Sequence, residues 1–137
     1  MIEALSTRYR NRTFILFAVC GVLAIAAAVI GIDDNPPGIL LAYLSATAFV
    51  LAFVHPWRTS KQFLYLIYTS VLGFIVSVVL HNLFDFFAAK SGVSGLLPGL
   101  LGSISAAYFL VAVLLCPPAL LVGLIGAAVM YRRAGQS

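Results

Sequence analysis

Charge is what this 137-residue sequence has least of. Asp, Glu, Lys and Arg make up 9% of it, against about 25% in an ordinary soluble domain, while 63% is hydrophobic. So few polar side chains cannot cover a globule in water. That excludes a soluble enzyme, a disordered segment, a coiled coil and a collagen-like fibre. Acidic residues are scarcer still: Glu3, Asp33, Asp34 and Asp85 are all there are. None of the charged residues sits in the middle of an apolar run, where a proton-coupled pump or a voltage sensor places its ionisable groups. Cysteine is sparse as well. Cys20 and Cys116 both lie within apolar runs and form no CxxC pair, so neither a zinc motif nor a disulfide framework is expected. GxSxG, HExxH and a Gly-rich phosphate loop are missing. The sequence therefore predicts no catalytic residue, no metal and no cofactor. Nucleic acid is not an expected partner either, because no soluble segment is long enough to build a basic binding surface.

What is present is a set of long apolar runs, and these make the chain an integral membrane protein. Crossing the hydrocarbon takes about 20 residues at roughly 1.5 Å each. The charge-free intervals are 13–32, 35–57, 62–84 and 91–131. The first three each fit one helix. The fourth is too long for one span and too short for two, since it opens on the loop chemistry of Ser91-Gly92-Val93-Ser94-Gly95. The expected fold is an all-α four-transmembrane-helix bundle in a single domain spanning 1–137. Its helices are expected at about 13–32, 36–57, 61–84 and 100–131, the last kinked at Pro117-Pro118. A re-entrant segment over 93–102 is the alternative. Asp33-Asp34-Asn35-Pro36-Pro37 supplies a turn and a helix start, and Thr59-Ser60-Lys61-Gln62 has the form of a capping box. The first apolar run continues past Ala24-Ile25-Ala26 to Ile32, longer than the core of a cleaved signal, so a membrane span is expected there.

The basic residues set the orientation. Arg8, Arg10, Arg12, Arg58, Lys61, Arg132 and Arg133 fall on one side of the four spans and only Lys90 on the other. Seven to one over short loops predicts that both termini are cytoplasmic, in a multi-pass protein of the plasma (inner) membrane. Tyr9, Trp57, Phe63, Tyr65 and Tyr131 gather at that interface, and Phe84, Phe86 and Phe87 at the other.

Two polar features remain. His55 ends the second span on the inner side and His81 the third on the outer side. About 30 Å of helix lies between those depths, so one haem cannot bridge the two imidazoles; a pigment held by a single histidine is the residual alternative. On the third span Ser70, Gly73, Ser77, His81 and Asp85 recur at spacings of 3, 4, 4 and 4 and share one face. Asn82 adjoins them, and Asp33 and Asp34 sit on the same side of the membrane. Ser77, His81, Asn82, Asp85, Asp33 and Asp34 are therefore the candidate ligand or ion residues, an outward-facing polar pocket for a small polar ligand or a cation. The competing reading is packing: small residues let helices approach, and the histidine and carboxylate sit in the wet interface. Small residues also line faces of the other spans. These are Gly21, Ala24, Ala28 and Gly31 on the first, Ser45, Ala48 and Ala52 on the second, and Ala119, Gly123 and Ala127 on the fourth.

The function expected from these observations is that of a non-catalytic accessory or structural subunit. It would pack its small-residue faces against other membrane subunits, or against itself, within the lipid bilayer. A small oligomeric transporter or channel lined by the third-span stripe is the first alternative. A pigment- or haem-binding subunit is the second.

Overall fold

A computed structural model describes the backbone of residues 2–32, 34–92 and 95–135, and side chains from residue 7 onward. Its elements are α1 (Ile2–Ile30), α2 (Pro36–Val54), α3 (Ser60–Lys90), α4 (Leu96–Leu110), a π-helical turn (Val111–Leu115) and α5 (Cys116–Ala134), with no strand among the described residues. Four stretches are long and apolar enough to cross a membrane: Thr7–Ile30, Pro36–Val54, Ser60–Lys90 and Leu96–Ala134. The protein is all-helical, and the large side chains it exposes, such as Val29, Leu96 and Leu121, are those of a chain solvated by lipid.

α1, α3 and the fourth span overrun their expected bounds, whereas α2 stops at Val54 instead of 57. α1 begins at Ile2 instead of about 13, α3 continues from 84 to Lys90, and the fourth span runs over 96–134 instead of 100–131. A charge marks where hydrocarbon ends, not where a helix must. Arg8, Arg10 and Arg12 ride on α1 itself, since arginine is a good helix former. Val93 and Ser94, part of the candidate re-entrant segment, lie outside the described residues. From Leu96 onward the backbone is helical and continuous with α4.

Local chemistry explains the turns. Pro36 and Pro37 open α2, where a missing N–H costs nothing. Asn35 closes the preceding helix by donating Nδ2–H to Ile30 O at 3.0 Å. At the α2–α3 corner, Gln62 Oε1 accepts the backbone N–H groups of Arg58 and Thr59 at 3.1 and 3.3 Å, the reciprocal half of the capping box. The π-helical turn lies immediately before Pro117-Pro118. In a regular helix the Pro117 ring would strike the carbonyl four residues back. Here Cys116 N–H reaches Val111 O, five residues back, and the wider turn makes room.

The bundle is open. α1 and α2 form one antiparallel hairpin, and α3 lies along the whole fourth span, from α4 through the π-helical turn to α5. α2 joins the two halves by packing on α5 and the π-helical turn. Among the described residues α1 packs closely on α2 alone, and it faces the π-helical turn across a cleft. The tightest approach in the first half is at Gly38, where a Cβ would lie 1.7 Å from Gly31 O. In the second half a Cβ at Gly126 would lie 2.2 Å from the Phe63 ring. Among the described residues no large side chain is fully buried; the buried set is dominated by Ala, Ser, Val and Gly, around a small cluster of Val50, Val54, Phe63 and Ala119. Close backbone contact through small residues is how helices associate where lipid is as apolar as the protein.

Candidate functional site

The polar stripe of α3 runs down the seam with the fourth span. Ser70 and Ser77 are buried, and Ser70 Oγ–H donates to Leu66 O of its own helix at 2.6 Å. A side-chain atom at Gly73 would lie 3.7 Å from Cys116 Sγ. One turn beyond Ser77, His81 meets Ser105 of α4. Nδ1 of His81 lies 2.8 Å from Ser105 Oγ and 3.1 Å from Ser105 O, and Ser105 Oγ lies 3.1 Å from His81 O. One proton arrangement satisfies all three contacts: the hydroxyl donates to the His81 carbonyl, and Nδ1–H is shared between the hydroxyl and carbonyl oxygens of Ser105. Phe109 lies against the imidazole with ring centroids 5.3 Å apart, and Phe84 stacks on Tyr108 at 5.8 Å.

The remaining candidate residues do not converge on this pair. Asn82 is exposed and donates Nδ2–H to Val78 O at 2.8 Å. Asp85 is exposed on α3. Asp34, in the α1–α2 turn with φ of 53°, is exposed and borders a cleft walled by Ile39, Tyr43, Phe109 and Val113. Asp33 lies outside the described residues. No group of three His, Cys, Asp or Glu side chains is close enough to share a metal ion among the described residues. The structure thus brings His81 to Ser105, and leaves Asn82, Asp85 and Asp34 facing outward. Ser105 was not legible as a partner. It is a hydroxyl within an apolar run, 24 residues from His81, and only the antiparallel pairing of α3 and α4 joins the two.

A second polar cluster occupies the opposite, basic end. His55 donates Nδ1–H to Ala52 O at 3.1 Å. Its Nε2 is the one buried side-chain nitrogen or oxygen without a hydrogen-bond partner among the described residues. Tyr9 of α1 lies over this corner, its ring 6.1 Å from that of His55, and Arg58 Nη2–H donates to its hydroxyl at 3.2 Å. Trp57 packs edge-on against Phe63 at 5.4 Å. Between α1, α2 and the π-helical turn lies a cleft of about 550 Å³ walled largely by small residues, among them Ala24, Ala28, Gly31 and Ala46.

No family model, no curated protein and no solved structure matches this chain. Its chemistry is therefore that of its own side chains: a cross-helix His–Ser clamp at one end, an arginine–aromatic corner at the other, and small-residue faces between them.

Proposed function

We propose that this multi-pass membrane protein is a non-catalytic accessory subunit that packs α1 against helices of other membrane subunits. The observation that supports the reading is the bare side of α1. Packed on α2, with a further tie from Tyr9 to Arg58, it presents Phe14, Ile15, Val22, Ile25 and Val29 outward, with Gly21 among them so open that a Cβ there would meet nothing within 4 Å. An apolar edge with a glycine step suits close approach of another helix. The inward small residues tell a different story: Ser45, Ala48, Ala52, Ala119 and Gly123 are buried within the chain, so they are spent on its own fold. The transporter reading draws no support from the α3 stripe, because Ser70 and Ser77 are buried at the seam with the fourth span.

In this reading both termini face the cytoplasm, as the seven-to-one distribution of cations favours. The fourth span bends at its proline pair, and the host membrane is the plasma (inner) membrane. The test is purification in mild detergent with quantification of co-migrating membrane subunits. Wild type is compared with Gly21→Phe/Val29→Trp, which alters only the outer side of α1. We expect a stoichiometric membrane partner with wild type and its loss from the variant, whose own thermal unfolding is unchanged. A lone wild-type monomer from native membranes overturns the proposal.

A further inference from the structure

The basic end holds a groove that neither the fold nor the subunit role uses. It lies between α2 and α5 and has a volume of about 490 Å³. Leu51 and Val54 form one wall, and Val122 and Val129 the other. Arg58, Arg133 and His55 border it. Val122 and Arg133 are eleven residues apart on one helix, so the groove extends about 16 Å inward from its charged mouth.

We infer that this groove binds one anionic phospholipid, its phosphate held by Arg58 and Arg133 and an acyl chain laid along the apolar walls. Charge complementarity is the first argument. Asp34 and Asp85, the carboxylates whose side chains are described, lie at the opposite end of the bundle, and no described carboxylate pairs with either arginine. Arg58 uses one guanidinium nitrogen on Tyr9 and a weak contact at 3.5 Å to Trp57 O, which leaves donors of its five to spare. The guanidinium of Arg133 has no described partner. Planar guanidinium groups match phosphate oxygens in pairs.

Size is the second argument. A helix of about 10 Å diameter fills roughly 120 Å³ per residue, so 490 Å³ holds about one turn of a partner helix but a long stretch of a single hydrocarbon chain.

The test is native mass spectrometry of the intact chain from mild detergent, titrated with dioleoylphosphatidylglycerol or dioleoylphosphatidylcholine. We expect one phosphatidylglycerol retained in preference to phosphatidylcholine. Arg58→Gln/Arg133→Gln should weaken that binding about thirtyfold, equivalent to roughly 2 kcal/mol at 1.4 kcal/mol per tenfold. Arg132→Gln, which removes a neighbouring cation that does not border the groove, should leave it unchanged. Val129→Trp should also weaken retention, by filling the groove with both arginines in place. Lipid-free melting checks that each variant is folded. Equal retention of the two lipids, indifference to the double substitution, or full retention by Val129→Trp overturns the proposal. So does displacement of the lipid by glycerol 3-phosphate alone, which would make the site one for free phosphate, or a two-chain species without lipid, which would make the groove an interface between copies.

Discussion

α1 and α3 are the two long helices, 29 and 31 residues, and both are apolar along their middles. α3 is covered along one side by the entire fourth span; α1 packs closely on α2 alone, tied at one end to Arg58 by Tyr9 and parted from the π-helical turn by a cleft. Hydrophobicity does not separate them, because in lipid an apolar surface has no need to be covered. The difference lies in the seams. Against α3 the fourth span brings Gly123 and Gly126, which admit Ile67 and Phe63 at the closest range, and Ser105, which clamps His81. α1 has one comparable seam, where Gly38 meets Gly31 and Ser45 Oγ–H donates to Cys20 O at 2.9 Å. Its other side has apolar bulk and an open glycine. In this protein composition puts a helix in the membrane, and small residues opposite a snug neighbour decide whether it is held.

The largest way to break that contrast is Gly38→Leu. Its Cβ would be driven into the Gly31 carbonyl, backbone against backbone, with no flexible side chain to yield. Overpacking of this kind costs about 3 kcal/mol or more. Since α1 packs closely on no second helix, the damage should stay local: hydrogen exchange should rise across α1 while α3 keeps its protection. Equal loss in both halves would show that the bundle unfolds as one unit and that the two seams are not independent.

A smaller effect is expected from Ser105→Ala. It removes the hydroxyl that joins α4 to His81, and cross-helix hydrogen bonds in membranes are worth about 0.6 kcal/mol on average and up to about 1.7. A double-mutant cycle with His81→Ala, read by denaturant titration in micelles, should return coupling within that range. Coupling near zero would reduce the pair to a neighbourly contact, with Phe109 packing alone fixing the ring.

How much of this was readable beforehand follows from the same physics. Spans were legible because charge is excluded from hydrocarbon, and Gln62 and Pro36 announced their helix starts by local chemistry. Helix ends were not, since Arg8 or Lys90 can ride on a helix outside the lipid. The stripe Ser70–Gly73–Ser77–His81 was visible by its period, but period cannot say whether a polar face meets a pathway or another helix. That depends on Cys116 and Ser105, which sit far along the chain and arrive only through tertiary pairing. The His55 corner was legible as far as its membrane side, which His55, Tyr9, Arg58 and Arg133 share; the contacts among them were not, because they come from three separate stretches.

The smallest structural effect should come from Gly21→Ala, and its sign is the informative part. Nothing lies within 4 Å of the added methyl, and alanine favours a helix interior over glycine by about 0.5–1 kcal/mol. The isolated chain should therefore melt slightly higher. If a partner helix closes on α1 at this step, the same methyl stands in its way, and association should weaken while stability rises. Opposite signs in the two measurements would place the use of Gly21 outside the chain. A rise in stability with association unaltered would leave α1 facing lipid alone, and would move the search for a contact surface to the second half of the molecule.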